Sequence, residues 1–262
     1  MIRVAVIGAR GRMGSEVCRT VLNEPGLDLV AAIDRSRPGE PITRFSDAPD
    51  RDVVVTDDLR EIERAGCDVA VDFTHPDIVM DDVRWLIEHH VHAVVGTSGV
   101  GPDDLAEIER LLEKEGGRSN VLVAPNFAIG AVLAERFAVE AARHFPAVEV
   151  IELHHDKKAD APSGTALAAA RRLARERASA YRGPDAEALN GSRGGDVEGV
   201  RVHSVRLPGL LAHQEIILGG PGQVLTIRHD SLDRSSFMPG VLLALKAVSD
   251  RPGLTVGLEP LL

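Results

Sequence analysis

IRVAVIGARGRMG, residues 2–14, decides the fold. Its first six residues are almost wholly apolar, as in a strand covered on both faces. Glycines at 8, 11 and 14 follow directly, and a helical pattern begins behind them. In that context glycines allow a tight turn and close approach of a pyrophosphate, while the helix N-terminus offers N–H donors and partial positive charge. The spacing departs from G-x-G-x-x-G, because Arg10 takes the middle position and Met13 the last. Arg10 and Arg12 stand where they can pair with phosphate charge. A ligand-free strand-to-helix turn would use the same glycines.

Working outward, short β-branched runs recur at 27–34, 53–55, 68–73, 92–97 and 120–125, with amphipathic segments such as PDIVMDDVRWLIEHH and PDDLAEIERLLEKEG between them. Apolar strands separated by helices predict a parallel sheet covered on both faces, a Rossmann-type doubly wound α/β domain. Asp34 ends the second strand, 20 residues past Gly14. A carboxylate there can accept from both hydroxyls of an adenosine ribose, and Arg35 can meet a 2′-phosphate; an Asp capping the polar loop 34–40 is the plainer alternative. The loops GTSG (96–99) and APNFAIG (124–130) follow later strands of the same sheet. Ligands lie beyond the carboxyl ends of such strands, which places these loops near a nicotinamide or its ribose.

The pattern changes near Asn126. After a helical GAVLAERFAVEAARHF come the strand VEVIELHH (148–155), a helix over 163–179 and a polar, glycine-rich loop over 182–199. The runs VRVHSVRL, HQEIILG and QVLTIRHD follow without intervening helices, joined by LPGLLA and GPG. They predict a second, α+β domain with a mixed, largely antiparallel sheet. A last helix from Phe237 and the strand LTVGLEPL return to the first pattern. The expected division is 1–125 completed by 236–262 for dinucleotide binding, and 126–235 for the second domain.

Composition narrows the function. The chain has 262 residues, 44% hydrophobic and 27% charged, as in a globular protein. No apolar run approaches the ~20 residues of a membrane span. Its start reads as a buried strand rather than a signal peptide, so a cytoplasmic protein is expected. Cys18 and Cys67 lack metal-ligand spacing and are expected as free thiols. A formal net charge of −10 opposes nucleic acid, and any anionic small molecule needs local positive charge or helix N-termini.

HHDKKADAPSGT, residues 154–165, holds two of the four lysines of the chain. The histidines end a strand, Lys157 and Lys158 lie in the loop, and Pro162 with Ser163 opens a helix. The N–H groups around Ser163, Gly164 and Thr165 then lack intrahelical partners, which suits one or two carboxylates. The histidines bring protons that titrate near neutral pH. A capped helix beside solvated lysines is the plain alternative. A metal site on His154 and His155 is disfavoured because neighbouring strand residues face opposite ways and no further ligand cluster is evident. A Schiff-base lysine would need a desolvated pocket.

Through GARGRMG, DFTHP, GTSG, APNFAIG, ELHHDKKADAPSGTA and SLDRSSF, the chain resembles, over essentially its whole length, the 4-hydroxy-tetrahydrodipicolinate (dihydrodipicolinate) reductase family. The resemblance implies hydride transfer from NADH or NADPH to a cyclic imine dicarboxylate in the diaminopimelate route to lysine. It implies His154 as the catalytic histidine and Lys158, rather than Lys157, as the catalytic lysine. His155, Ser163, Gly164 and Thr165 match substrate contacts. Gly8, Ala9, Arg10, Gly11, Arg12, Met13, Asp34, Gly96, Thr97, Ser98, Ala124, Pro125, Asn126 and Phe127 match cofactor contacts, and Arg35 the residue that meets a 2′-phosphate. Arg234 and Phe237 match residues near the hinge and the nicotinamide. No resident metal is implied, and a homotetramer built through the second sheet is. Arg10, where many relatives carry glycine, is the one departure.

Overall fold

The computed structural model describes residues 1–36, 38–43, 53–181, 183 and 186–262. Arg37 of the expected polar loop, and residues 182, 184 and 185 of the expected glycine-rich loop, lie outside the described residues. The chain divides into two compact units, Met1–Phe127 with Phe237–Leu262, and Ala128–Ser236.

In the first unit the strands are β1 (Ile2–Ile7), β2 (Leu27–Ile33), β3 (Val55–Thr56), β4 (Val69–Asp72), β5 (His92–Val95), β6 (Val121–Val123) and, from the end of the chain, β12 (Leu254–Val256). They form one parallel sheet in the order β12-β6-β5-β4-β1-β2-β3. From β1 the chain steps one way to β2 and β3, then returns to β4 on the other side. The order therefore reverses between β1 and β4, where an open sheet offers a crevice beyond its carboxyl ends. The helices are α1 (Arg12–Asn23), α2 (Arg60–Arg64), α3 (Val79–Glu88), α4 (Pro102–Lys114) and, late in the chain, α7 (Met238–Ala247). Val4 to Ile7 of β1 are all buried, as a strand covered on both faces requires. α1 buries Gly14, Val17, Cys18 and Val21, a single stripe at helical spacing. Burial pushes the Cys18 thiol up, and it lifts that of Cys67 to about 12; both cysteines are free. In place of the expected strand at 53–55, the sheet edge holds the two-residue β3, Val55–Thr56, and Val54 is exposed. The longer runs lose their last residues to the carboxyl-end loops, where the ladder stops and the site begins.

The second unit contains α5 (Ile129–Ala142), β7 (Ala147–His154), α6 (Gly164–Glu176), β8 (Gly195–Val197), β9 (Val200–Arg206), β10 (Ala212–Gly220) and β11 (Gln223–Ser231). Its sheet runs β11-β10-β7-β9-β8 and is antiparallel except for β7 with β9. GPG closes the β10–β11 hairpin, but LPGLLA does not join neighbours: β7 lies between β9 and β10. The connection passes the end of β7, where the Leu207 N–H donates to the His154 carbonyl at 3.1 Å. The reason is the βαβ step from β7 through α6 to β9, which makes those two strands parallel neighbours. α6 ends at Glu176, short of the expected Ser179, and β8 adds a short strand within the expected loop. The core joins Val148 and Val150 of β7, Val200 and Val202 of β9, and Ile216 and Leu218 of β10 to Ala166, Ala170 and Leu173 of α6. Small alanines on the buried face of α6 let that helix lie close over the sheet.

Candidate active site

In the first unit, the turn after β1 is set by two glycines. Gly8 has φ +79°, and a Cβ there would stand 2.5 Å from the Phe73 carbonyl oxygen; a Cβ at Gly14 would stand 2.0 Å from that of Gly8. α1 thus starts hard against the end of β1. Arg10 has no left-handed φ, so a side chain is tolerated at the middle position. Its N–H donates to Asp34 Oδ2 at 2.9 Å, and its guanidinium reaches Glu40 at 3.4 Å. No side chain among the described residues caps α1, which opens at Gly11 and has no acidic residue in its first turn. Gly11 and Arg12 are exposed, Met13 is partly so, and Ala9 is fully buried. An uncapped helix start with two arginines beside it fits a dinucleotide pyrophosphate. Asp34 Oδ1 accepts from the Ser36 N–H at 2.8 Å, so this carboxylate shapes its own loop, while Arg35 is exposed beside it.

Gly96 follows β5 and faces Phe73, whose ring a Cβ would meet at 2.2 Å. Thr97 is buried and donates its hydroxyl to Asp72 Oδ1 at 2.5 Å, which commits its side chain to the protein and leaves Ser98 exposed. Ala124 and Phe127 are buried, Pro125 is exposed, and the rings of Phe73 and Phe127 lie 5.6 Å apart. Arg234 and Phe237 bound a 3-10 turn. Sequence reasoning missed a carboxyl pair here. Asp72, fully buried at the end of β4, accepts from the Thr74 N–H at 3.0 Å, and its charge acts on Asp82 in the first turn of α3. Burial and the Asp72 charge push the Asp82 carboxyl up to about 7.

In the second unit, His154 is the last residue of β7 and shares its helix-covered face with Glu152, while His155 lies beyond the strand. Glu152 is fully buried. It accepts from Arg206 Nη1 at 2.9 Å and Nη2 at 2.8 Å, from the Ser163 N–H at 3.2 Å, and from His154 Nδ1. Burial alone would raise this carboxyl; Arg206, Ser204 and His154 outweigh it and hold the group below the usual carboxylate range. Desolvation lowers the His154 pKa against the pull of Glu152, with Lys158 and Arg206 adding to the lowering, so the imidazole is neutral at neutral pH. Arg206 is also absent from the residues expected from sequence. It pairs with His154 across the β7–β9 ladder and donates from Nη2 to the Asp160 carbonyl at 2.6 Å.

Lys158 is half-buried and reaches Asp160 Oδ1 at 2.8 Å, whereas Lys157 is exposed. Ser163 caps α6, its hydroxyl accepting from the Ala166 N–H at 3.2 Å. Among the described residues the N–H groups of Gly164 and Thr165 meet no acceptor. Gly164 is exposed, has no left-handed φ, and would set a Cβ with nothing within 4 Å. Neither backbone strain nor protein packing accounts for this glycine. The segment therefore gathers a neutral imidazole, an ammonium and two open N–H donors. Among the described residues no group of three or more His, Cys, Asp or Glu is placed to hold a metal ion.

The family models described as dihydrodipicolinate reductase, N-terminus and C-terminus, match residues 2–127 and 130–262. A 4-hydroxy-tetrahydrodipicolinate reductase of Nocardia farcinica is 52% identical, with 100% of this chain and 98% of the relative covered. One from a Mycobacterium species is 48% identical over 100% of this chain and 99% of its own. A solved dihydrodipicolinate reductase from a Paenisporosarcina species, bound to dipicolinate, has a TM-score of 0.86 at 43% identity, covering 100% of both chains. An amine dehydrogenase from Mycobacterium smegmatis, with a TM-score of 0.68 at 15% identity, covering 98% of this chain and 95% of its own, shares the fold. With both halves matched and close relatives aligned end to end, the chain belongs to the dihydrodipicolinate reductase family.

Proposed function

We propose that the chain catalyses the reduction of 4-hydroxy-tetrahydrodipicolinate to tetrahydrodipicolinate with NADH or NADPH, in the diaminopimelate route to lysine. The observation that carries this reading is the convergence of His154, Lys158 and the open N–H groups of Gly164 and Thr165 on one short segment. A ring dicarboxylate offers the acceptors those donors lack. The helix start receives one carboxylate, with Thr165 and His155 beside it. Loss of the ring hydroxyl as water gives a conjugated imine; hydride adds at the carbon the hydroxyl left, and a proton adds at its neighbour. A bound reduced nicotinamide supplies the hydride. Lys158 is assigned the ammonium that neutralises charge developing on the ring, and His154 the imidazole that exchanges a proton there. The Lys158–Asp160 pair is half-exposed, so releasing the ammonium toward substrate costs little.

For the cofactor, the uncapped start of α1 at Gly11 to Met13 takes the pyrophosphate, with Gly8, Ala9 and Arg10 shaping the turn. Asp34 takes the adenosine ribose and Arg35 a 2′-phosphate. The backbones of Gly96, Thr97, Ser98 and Ala124 to Phe127, with Phe237, complete the contacts on this unit. Asp34 and Arg35 side by side fit both cofactors. We place the reaction in the cytoplasm, in keeping with two free thiols. The substrate unit carries the tetramer contacts: the sheet face opposite α5 and α6 presents Ile151, Leu153, Val205 and Ile217, each only partly buried.

The test is a coupled assay in which aspartate semialdehyde, pyruvate and the preceding synthase generate the unstable substrate while NADH and NADPH oxidation are followed. His154→Ala or Lys158→Ala is expected to lower turnover by about 10²-fold or more while cofactor titration is little changed. Absence of oxidation with either cofactor in the native protein refutes the reading.

A further inference from the structure

We infer that Glu152, held by Arg206, is the positioning residue that sets the tautomer of His154 and ties the imidazole to the helix start that takes the substrate carboxylate. The inference rests on the reductase reading and assigns two residues that the reading does not use. Arg206 lies 54 residues from Glu152 in the chain, yet the parallel β7–β9 register sets it opposite His154, on the face Glu152 occupies. Its fork takes both carboxylate oxygens, at 2.9 and 2.8 Å. A fully buried carboxylate is costly unless its lone pairs are used. Here they are used by groups of the site: His154 Nδ1 on one oxygen and the Ser163 N–H, at 3.2 Å, on the other.

The consequence follows from hydrogen-bond chemistry. An ionised carboxylate only accepts, so His154 must carry its proton on Nδ1, and Nε2 is left as an acceptor. The same carboxylate fixes the start of α6, and Arg206 reaches on to the Asp160 carbonyl at 2.6 Å, in the loop that carries Lys158. One buried ion pair thus sets the relative placement of imidazole, lysine loop and carboxylate cradle. The charged groups facing the imidazole are Glu152 on its own strand, Arg206 on β9 and Lys158 on the following loop.

Glu152→Gln separates this role from simple structural support. With its one acceptor oxygen kept for Arg206 Nη2 and the Ser163 N–H, the amide turns its NH2 toward His154, where Nδ1 becomes the acceptor and the proton moves to Nε2. Histidine-15N NMR of the native protein, with His154 assigned by its loss in His154→Gln, is expected to show the Nδ1–H form. In Glu152→Gln it is expected to show Nε2–H, with kcat lower by about 10²-fold, a smaller rise in substrate KM and unchanged cofactor affinity. Glu152→Asp is expected to restore part of kcat and the Nδ1–H signal. A native Nε2–H tautomer overturns the inference even if the variants fail to fold. So does a Glu152→Gln protein that keeps the Nδ1–H form and native kcat. Native turnover is scored separately, so loss of the reductase reading would show as an inactive native enzyme with the tautomer result still decisive.

Discussion

Gly164→Ala is expected to make the protein more stable and a worse enzyme. In the free protein a Cβ at this position meets nothing within 4 Å, and no left-handed φ opposes it. Replacing glycine at such a position reduces the freedom of the unfolded chain and is worth about 0.5 kcal/mol, near the low end of the usual range because the site is in the first turn of α6. For a chain of this size that is a rise in Tm of about 1–2 °C. The binding term has the opposite sign. A methyl at Gly164 stands where a carboxylate must approach the open N–H groups of Gly164 and Thr165. Losing one hydrogen bond to a charged acceptor costs about 1.5–3 kcal/mol, which converts to a roughly 10- to 150-fold rise in substrate KM. Thermal and urea unfolding read the first term; the coupled synthase assay reads the second, with the cofactor KM as internal control. A substrate KM within twofold of native, in a protein that is at least as stable, would refute the carboxylate cradle. A clear loss of stability would refute the steric argument instead.

Two further outcomes follow from the first unit. Asp34→Ala is expected to weaken NADH more than NADPH, by about tenfold in the ratio of Kd values, in fluorescence titration; an unchanged ratio removes Asp34 from the ribose site. The Asp72–Asp82 pair makes stability depend on pH with a definite sign. An unfolded aspartate loses its proton near pH 3.9, whereas Asp82 in the folded protein keeps one to about 7, held up by burial and Asp72, opposed by Arg35 and supported by Asp81. Between those values the folded state binds more protons, so this pair's contribution to stability falls as pH rises and levels off above about 7. Asp82→Asn is expected to remove that slope, so its urea midpoint should gain on native between pH 5 and 8; parallel midpoints across that range refute the raised Asp82 carboxyl.

Much of the architecture was legible in the order of elements. Apolar runs alternating with amphipathic segments require crossovers, and the parallel sheet from β1 to β6 follows from that. Later strands were harder to order. VRVHSVRL and HQEIILG look like neighbours in sequence, but β7 pairs between them, because the α6 crossover makes β9 parallel to β7 before the chain reaches β10. At the candidate site, the motif residues His154, Lys158 and Gly164 could be named from local pattern, since helix starts and strand ends are local features. Glu152 was within the same motif, and its signal was present: two residues before His154, it faces the same side of the strand. What concealed it was burial, because a carboxylate in a strand reads as solvent-facing until a partner is known.

Local chemistry along the chain determined where the backbone turns and where donors are exposed. The close approach of Gly14 to Gly8, the uncapped start of α1 and the Ser163 cap of α6 all depend on residues a few positions apart. The tertiary structure alone decided which distant side chains meet. Arg206 joins Glu152 across 54 residues, and the Thr97 hydroxyl is taken by Asp72 across 25. Propensity acts over a few residues, whereas strand order and register bring partners together from any separation. Only in the packed sheet is a buried carboxylate left with no choice of donor.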